Sequence, residues 1–144
     1  MAEKKDNSYG IIPVKVQDGG SYFFVIQHLS GYSGFPKGHM EPNETEFEAA
    51  CRELLEETNL IVDKTLLDKT FEENYTFNVH TDTVIKNVKY FVATVENPDD
   101  AFLQQDEISD GQWVRAEYVL NALTYDEAKR LFKEVTDALK LIEI

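Results

Sequence analysis

Residues 38–60 read GHMEPNETEFEAACRELLEETNL and combine a helical pattern with a cluster of glutamates. On a helix over residues 45–58, with about 100° between successive residues, one arc carries mostly apolar side chains: Phe47, Ala50, Cys51, Leu54, Leu55 and Thr58. The opposite arc carries Ala49, Arg52, Glu53, Glu56 and Glu57. The spacing therefore predicts an amphipathic helix that turns its apolar face toward a core.

Capping signals mark both ends of this helix. Thr45 and Glu48 have the spacing of a capping box at the start. Asn59 is a residue type that takes the left-handed conformation with which helices often end. These signals place the helix boundaries near residues 45 and 58.

The polar face of the helix brings three glutamates together, because Glu53, Glu56 and Glu57 stand at i, i+3 and i+4. Like charges at this spacing destabilise a helix by roughly 0.3 kcal/mol per pair. From the helix alone, an ordinary solvated face explains the pattern at least as well as a site for a hard cation does. Carboxylate oxygens that converge on one point nevertheless suit Mg²⁺.

The whole segment resembles the sequence box of the Nudix family, G-x5-E-x7-R-E-U-x-E-E-x-G-U, in which U is a bulky aliphatic residue. The matching positions are Gly38, Glu44, Arg52, Glu53, Leu54, Glu56, Glu57 and Leu60. Chance agreement at the specified charged and glycine positions is on the order of 10⁻⁷ per start point. Asn59 stands where the family has glycine, and asparagine is the next best residue at positive φ.

This resemblance implies an α+β fold, an α/β/α sandwich with a central mixed sheet and the box as a loop-helix-loop. It implies that three glutamates bind Mg²⁺ or Mn²⁺ or activate water: Glu53, Glu56 and Glu57. The carbonyl oxygen of Gly38 is expected to add a metal ligand. Glu44 and Arg52 are expected to be structural and to orient the ligands. Glu107 is expected as a second base or ligand, with Asp106 as the alternative.

The flanking sequence resembles asymmetrical diadenosine tetraphosphate hydrolases within that family. Residues 35–42 are similar to their P-K-G-H-x-(E/D)-P stretch, and Asn74-Tyr75 is similar to their Asn-Tyr after the box. Residues 86–91 resemble a K-x-V-x-Y-F-like strand, and Asp106-Glu107 precedes Trp113 as an acidic residue precedes a tryptophan there. A departure is Gly34, which stands where animal members have an aromatic stretch.

The same resemblance implies residues that bind the substrate. Lysines are expected to hold its phosphates as point charges: Lys37, Lys86 and Lys89. The odd spacing of Lys86 and Lys89 allows them to lie on opposite faces of a strand, and a solvated edge lysine is the alternative for each. Tyr75 is expected to stack on adenine, with Tyr125 as a second aromatic residue.

The histidines and the tryptophan are less specific signals. His39 either donates to a phosphate or makes a structural hydrogen bond. His28 and His80 belong to no motif and are expected at the surface, whereas Trp113 is expected in the core.

Outside the box, alternating and turn-forming residues predict further elements. Tyr9–Val16 and Ser21–Gln27 are predicted strands joined at Asp18-Gly19-Gly20. The remaining predicted elements are strands at 69–76, 87–95 and 112–114 and a final helix at 126–139. The polar segment between the first two of these strands looks long for the family. Residues 1–7 are polar and predicted to be flexible, and residues 8–144 are predicted to form a single domain.

Composition limits the classes of partner. Lys and Arg total 14 against 27 Asp and Glu, a formal net charge of −13. Such a chain repels polyphosphate unless a divalent cation inverts the local charge, which argues against a nucleic-acid groove. The single cysteine excludes an internal disulfide. No apolar run approaches the roughly 18 residues of a membrane span, so we expect a soluble, cytoplasmic protein. The sequence leaves the oligomeric state open, with a monomer favoured.

The combined expectation is a metal-dependent hydrolase of a phosphoanhydride bond in a small nucleotide, most specifically diadenosine tetraphosphate to ATP and AMP. An RNA 5′-triphosphate pyrophosphohydrolase is an alternative with a similar box, although the negative charge argues against tight RNA binding. Diphosphoinositol polyphosphates would require a denser basic cluster. A nucleotide-sensing module without activity is the alternative of another class, but such modules typically lose acids that are all present here.

Overall fold

The structure is a computed structural model that describes residues 2–104 and 106–142. Within these ranges, strands and α-helices follow one another as β1 (Glu3–Gln17), β2 (Gly20–His28), β3 (Ser33–Gly34), β4 (Lys37–Gly38), α1 (Glu46–Thr58), β5 (Val62–Thr65), β6 (Phe71–Val79), β7 (Asp82–Val95), β8 (Ile108–Arg115), α2 (Ala116–Ala122) and α3 (Asp126–Lys140). A single 3₁₀ turn, Pro98–Asp100, precedes β8 in this part of the chain.

The strands form one mixed sheet whose main path is β3-β2-β1-β7-β5. β1 and β7 are parallel, in a register that runs from Glu3 opposite Thr83 to Val14 opposite Thr94. β6 pairs with β7 and β8 pairs with β2, both antiparallel. The long parallel pair thus forms the centre of the sheet.

Helices cover both faces of the sheet, which gives the predicted α/β/α sandwich. Alternation along the central strands sends successive side chains to opposite cores: Ile12 and Phe23 pack on the side of α2 and α3, whereas Ile11 and Phe24 pack on the side of α1. Within residues 2–104 and 106–142, no helix is both long enough and apolar enough to cross a bilayer.

The local signals for turns and caps are confirmed. Asp18 and Gly19 both have positive φ, 52° and 75°, as a type I′ hairpin turn requires. The side chain of Thr45 accepts a hydrogen bond from the Glu48 amide, and the Glu48 side chain accepts one from the Thr45 amide. Asn59 ends α1 with φ of 64°.

The predicted division of α1 into a buried and an exposed face is partly wrong. Ala49 was placed on the polar arc but is fully buried, whereas Leu55 was placed on the core arc but is 46% exposed. The helix packs on β1 and β4, and the small side chain of Ala49 suits close contact there. The same rotation buries Glu57, of which 2% is exposed. The buried face therefore includes one of the three glutamates.

The prediction of a flexible segment at residues 1–7 is wrong for residues 3–7. They belong to β1 and pair in parallel with residues 83–87 of β7. The long β7 supplies backbone partners for this polar segment, and the Lys86 side chain binds Asp6 within it. Composition alone underestimates the order that such pairing creates.

The polar segment between Tyr75 and Lys86 is a hairpin and not a long loop. β6 extends to Val79 and β7 begins at Asp82, so the two strands are joined by a tight turn in which His80 has φ of 56°. Tyr75 lies directly opposite Lys86 in the register. The outer part of β6 is mostly exposed, and the alternation of Tyr75, Phe77 and Val79 with polar residues is the signal that was not used. Neither β5 nor α2 was predicted from the sequence.

Candidate active site

A cleft lies where β4, the loop before α1 and α1 itself meet. We call it the acidic cleft after the glutamates in its lining, Glu41, Glu53 and Glu107. Its volume is about 370 Å³. Charged side chains that line it include Lys37, Arg52, Glu53, Lys86 and Glu107. These five are among the charged residues that the sequence pattern singled out, whereas Glu56 and Glu57 are not part of the lining.

Arg52 joins α1 to the loop that precedes it. Its Nε lies 2.7 Å from one carboxylate oxygen of Glu44, and its Nη2 lies 2.8 Å from the carbonyl oxygen of His39. Its Nη1 donates to Glu53 at 3.0 Å and to Glu56 at 3.2 Å. These bonds, led by the one to Glu44, raise the pKa of Arg52, and they lower the pKa of Glu44. Arg52 thus fixes the orientation of two predicted metal ligands.

Glu57 points into the interior beside Lys37. One carboxylate oxygen accepts a hydrogen bond from the Lys37 amide at 3.3 Å, and the other is buried without a partner among the described residues. Burial raises the pKa of Glu57 to about 8, and the nearby charge of Glu53 acts in the same direction. A buried carboxylate oxygen without a donor is costly, and a bound cation would relieve that cost.

Gly38 and Glu53 are in close contact. A β-carbon added at Gly38 would collide with the Glu53 carboxylate, so any other residue at position 38 would displace that glutamate. Burial raises the pKa of Glu53, while the hydrogen bond from Arg52 opposes the shift. The contact explains why glycine is needed at the start of the Nudix box, independently of its backbone angles.

These residues fit a hard divalent cation in chemical type. Carboxylate oxygens from Glu53, Glu56 and Glu57, together with the carbonyl oxygen of Gly38, are ligands that Mg²⁺ and Mn²⁺ accept. Across residues 2–104 and 106–142, no three acidic, histidine or cysteine side chains are already gathered into a metal-binding group. Arg52 holds two of the glutamates instead, so a cation would compete with it.

Glu107 reaches the cleft from the loop before β8. Its backbone carbonyl oxygen accepts a hydrogen bond from the Leu29 amide at 2.9 Å, which fixes the loop. Its charge contributes to the raised pKa values of Glu53 and Glu57. Asp106, the alternative, is not among the described residues that line the cleft.

The three predicted lysines have different positions. Lys37 lines the cleft and forms no ion pair within the described ranges, and burial lowers the pKa of Lys37. Lys86 lines the cleft and is buried, with its Nζ 2.9 Å from Asp6 and 2.6 Å from the Ser8 hydroxyl. Lys89 lies on the other face of β7, where its Nζ binds Glu46 at 2.9 Å. The odd spacing thus removes Lys89 from the site.

Of the three histidines, only His28 differs from its predicted position, since His80 is exposed as expected. His39 contacts Asp6 through Nε2 at 2.7 Å, in the structural role considered for it. His28 was expected at the surface, but it is partly buried in the cleft and stacks on Tyr32 with ring centroids 4.1 Å apart. Burial lowers the pKa of His28 to about 4, so the ring is neutral at neutral pH. Its Nε2 has no hydrogen-bond partner among the described residues.

A second cavity, the aromatic pocket, opens beside the cleft with a volume of about 520 Å³. Aromatic side chains that line it include Tyr32, Tyr75, Phe77, Tyr90 and Tyr125. Tyr32 and Tyr125 are neighbours at 5.7 Å between ring centroids, and burial raises the pKa of Tyr75 to about 12. The structure therefore brings Tyr75 and Tyr125 together as the sequence suggested.

Two further candidate substrate-binding residues of the aromatic pocket, Tyr32 and Glu73, were not predicted as such. Tyr32 lies in the loop between β2 and β3, and Glu73 lies two positions before Tyr75 on β6. The period of two along a strand is the signal that would have placed Glu73 beside Tyr75.

Trp113 was expected in the core. It is half-buried against the core on the side of α1 and donates a hydrogen bond from its indole nitrogen to the Pro98 carbonyl oxygen.

Comparison with known proteins identifies the family. A sequence model of the NUDIX domain matches residues 5–135. The chain belongs to the Nudix family. It is a Nudix hydrolase, and its box residues occupy the loop-helix segment described above.

Three curated relatives of this Nudix hydrolase carry the same name, bis(5′-nucleosyl)-tetraphosphatase [asymmetrical]. The protein of that name from Caenorhabditis elegans is 30% identical over 99 residues, which cover 69% of this chain and 70% of the relative. The one from Rattus norvegicus is 28% identical over 128 residues, which cover 86% of this chain and 84% of the relative.

Solved structures agree with the fold of this Nudix hydrolase. A binary complex of C. elegans Ap4A hydrolase superposes with a TM-score of 0.74 at 27% identity and covers 93% of this chain and 97% of that chain. A NUDIX hydrolase structure from Listeria monocytogenes has a TM-score of 0.68 at 23% identity, with coverage of 96% and 97%. The latter likeness concerns the fold alone.

Proposed function

We propose that this Nudix hydrolase cleaves dinucleoside polyphosphates with Mg²⁺ as its metal ion, and that it converts diadenosine tetraphosphate to ATP and AMP. The observation that carries this proposal is the position of Lys37, which lines both the aromatic pocket and the acidic cleft. If a nucleobase stacks among the tyrosines, the phosphates of the same nucleotide would therefore extend past the Lys37 side chain toward the glutamates. The asymmetrical tetraphosphatase names of the relatives support the same substrate class.

The aromatic pocket is suited to a flat, weakly polar ring system. Tyr32, Tyr75 and Tyr125 present large apolar faces with polar tips, and such faces stack on nucleobases. Gly34 leaves the wall open, since an added β-carbon would meet no atom within 4 Å. The second nucleoside of a dinucleotide need not occupy this pocket, because the cleft opens toward solvent at the exposed side of His39.

The phosphate chain requires cations in a protein with a net charge of −13. Lys37 and Lys86 both line the cleft, and Lys37 has no carboxylate within ion-pair distance in the described part of the chain. Lys37 is thus available for a phosphate, whereas Lys86 is oriented by Asp6 and Ser8. Lys89 has no part in this proposal, because it binds Glu46 on the other face.

Glu53, Glu56, Glu57 and the Gly38 carbonyl would hold the metal, which when bound supplies neutralisation of phosphate oxygens and activation of the attacking water. Arg52 sets the orientation of Glu53 and Glu56 before substrate binds. Glu107 faces the cleft from a separate loop and is not held by Arg52. We assign to Glu107 the role of the general base that accepts the proton of the attacking water.

Product analysis in H₂¹⁸O tests the proposal. With Mg²⁺ and diadenosine tetraphosphate, we expect ATP and AMP in equal amounts, and the label shows which phosphorus water attacks. Two molecules of ADP would contradict the asymmetric cleavage. Glu56→Gln is expected to abolish turnover, whereas Glu96→Gln, on the exposed loop after β7, is the matched control.

The RNA alternative is tested in the same assay. A 5′-triphosphate RNA would have to bring a long polyanion toward a surface with few cations, and backbone contacts supply much of RNA affinity. We expect kcat/KM for this RNA to be far below that for diadenosine tetraphosphate, and the reverse order would replace our assignment. The monomeric state and cytoplasmic location stay predictions, to be measured by light scattering and cell fractionation.

A further inference from the structure

Glu73 is a buried carboxylate in the wall of the aromatic pocket, and the proposed cleavage chemistry does not use it. Only 6% of the residue is exposed, yet it lines the cavity with Tyr75 and Lys37. Burial of an acid in such surroundings requires compensation, because desolvation disfavours the charged form. Desolvation accordingly raises the pKa of Glu73.

The strand places Glu73 beside the proposed stacking residue. Glu73 and Tyr75 are two positions apart on β6 and so lie on the same face, while Glu72 and Asn74, on either side of Glu73, lie on the other face. In the register, Glu73 is opposite Val88 and Tyr75 is opposite Lys86. A ring that stacks on Tyr75 would therefore present its edge near the Glu73 carboxylate.

No side chain or amide in the described ranges donates a hydrogen bond to the Glu73 carboxylate, and none forms an ion pair with it. Lys37, Arg130 and Lys86 influence Glu73 only through longer-range attraction, which opposes the effect of burial. Arg130 is already engaged by Glu127 and Glu134. The carboxylate is thus an acceptor without donors, inside a cavity that has room for a ligand.

We propose that Glu73 determines base specificity by accepting hydrogen bonds from a nucleobase in the aromatic pocket, and that it favours guanine over adenine. The charges of Lys37, Arg130 and Lys86 favour the ionised form of Glu73, and an ionised carboxylate only accepts hydrogen bonds. Guanine offers two adjacent donors, N1–H and the N2 amino group, whereas adenine places the acceptor N1 beside its single amino donor. The inference rests on the proposed function, because it requires the base of a nucleotide substrate to occupy this pocket.

A purely structural role for Glu73 leads to a different expectation. If the carboxylate serves only to balance the charges of Lys37 and Lys86, its loss would change the affinity for every nucleotide to the same degree. A contact with the base edge would instead change the ratio between two bases. The ratio of kcat/KM values for diguanosine and diadenosine tetraphosphate is therefore the informative quantity.

The test compares wild type with Glu73→Gln, Glu73→Leu and the control Glu72→Gln, whose side chain is exposed. Wild type and control are expected to prefer diguanosine tetraphosphate by about tenfold. Glu73→Gln is expected to reverse the preference, because an amide presents one acceptor and one donor and so matches the edge of adenine. Glu73→Leu is expected to abolish discrimination.

Equal ratios in wild type, Glu73→Gln and Glu73→Leu would overturn the inference. Binding of GMP and AMP to the same four proteins, measured by calorimetry, decides the point even if neither dinucleotide is cleaved. A guanine preference in binding that depends on Glu73, without cleavage, would refute the proposed function alone. Cleavage of both dinucleotides with a ratio unaffected by Glu73 would refute the specificity inference alone.

Discussion

The Nζ atom of Lys86 lies 2.9 Å from a carboxylate oxygen of Asp6, and the two residues are direct partners in the parallel pairing of β1 and β7. The other oxygen of Asp6 lies 2.7 Å from His39. Asp6 thus connects the first strand to two residues of the acidic cleft. Asp6 belongs to a segment that was predicted to be flexible from its composition. Because Asp6 binds two cleft residues, the order of this strand and the geometry of the cleft depend on each other.

Asp6→Asn is expected to lower the free energy of unfolding by about 2 kcal/mol, because the buried ammonium group of Lys86 loses its charged partner. KM for diadenosine tetraphosphate is expected to rise severalfold, since Lys86 and His39 lose a common anchor. Urea unfolding and steady-state kinetics measure the two effects. Asp82→Asn is the control, because it removes the more exposed pair with Lys4 and is expected to cost less than about 1 kcal/mol. Equal losses in both variants would contradict the role of burial.

Arg52→Lys is expected to lower kcat by about tenfold to a hundredfold, with KM for the nucleotide changed much less. A lysine cannot reproduce the fork that reaches Glu44, Glu53 and the His39 carbonyl oxygen at the same time. The concentration of Mg²⁺ needed for half-maximal rate is expected to rise, because Glu53 loses its orientation. Steady-state kinetics at several Mg²⁺ concentrations measure these effects.

Arg115→Lys is the matched control for that experiment. Arg115 is an exposed arginine on β8 that pairs with Glu117 and the Tyr22 hydroxyl, outside both cavities. Its replacement is expected to leave kcat within about twofold of wild type. A normal Mg²⁺ dependence in Arg52→Lys would show that the arginine stabilises the fold without orienting the metal ligands.

The capped helix with its acidic face could be predicted because its signals are local. Capping at Thr45 and Asn59 depends on residues within a few positions. The rotation that buries Ala49 and exposes Leu55 depends on how the helix packs on β1 and β4. Periodicity fixes the relative angles of side chains around a helix, but it does not fix which side meets the sheet when small residues occur on both arcs.

The aromatic pocket was only partly predictable because its walls come from distant segments. Tyr75 was expected from the resemblance, but Tyr32 lies on a loop without a regular pattern. Tyr32 shares a cavity with Tyr75 and Tyr125 only because the fold brings α3 and β6 beside this loop. Lys89 was assigned to the site because a motif was matched along the chain, while the alternation of β7 turned it away.

The neutral state of His28 gives a pH dependence of stability. Because its folded pKa of about 4 lies below its ordinary value of 6.5, the unfolded chain binds a proton more readily than the folded chain in this interval. Stability is therefore lost as pH falls from about 6.5 to about 4. After allowance for solvent screening, we expect His28 to account for on the order of 2 kcal/mol of this loss.

Unfolding by urea at several pH values measures this contribution. His28→Gln is expected to lose less stability than wild type over the same interval, because it carries no titrating ring. His80→Asn is the control, since His80 lies in the exposed hairpin turn at positive φ, which asparagine tolerates. A wild-type pH profile in His28→Gln would contradict the burial of a neutral imidazole in the cleft.

Mg²⁺ is expected to stabilise the fold through Glu57. The unpartnered oxygen of this carboxylate is buried in the folded chain and solvated in the unfolded one, so a cation that binds it favours folding. At a concentration tenfold above its dissociation constant, Mg²⁺ is expected to raise the free energy of unfolding by about 1.4 kcal/mol.

The variant Glu57→Gln tests whether Glu57 is the residue involved. Without metal it is expected to be at least as stable as wild type, because burying a neutral amide costs less free energy than burying a carboxylate. It is expected to gain little stability from Mg²⁺. Thermal unfolding with Mg²⁺ and with EDTA measures both quantities, and Glu96→Gln is expected to respond like wild type. An equal gain from Mg²⁺ in Glu57→Gln would place the metal at other residues.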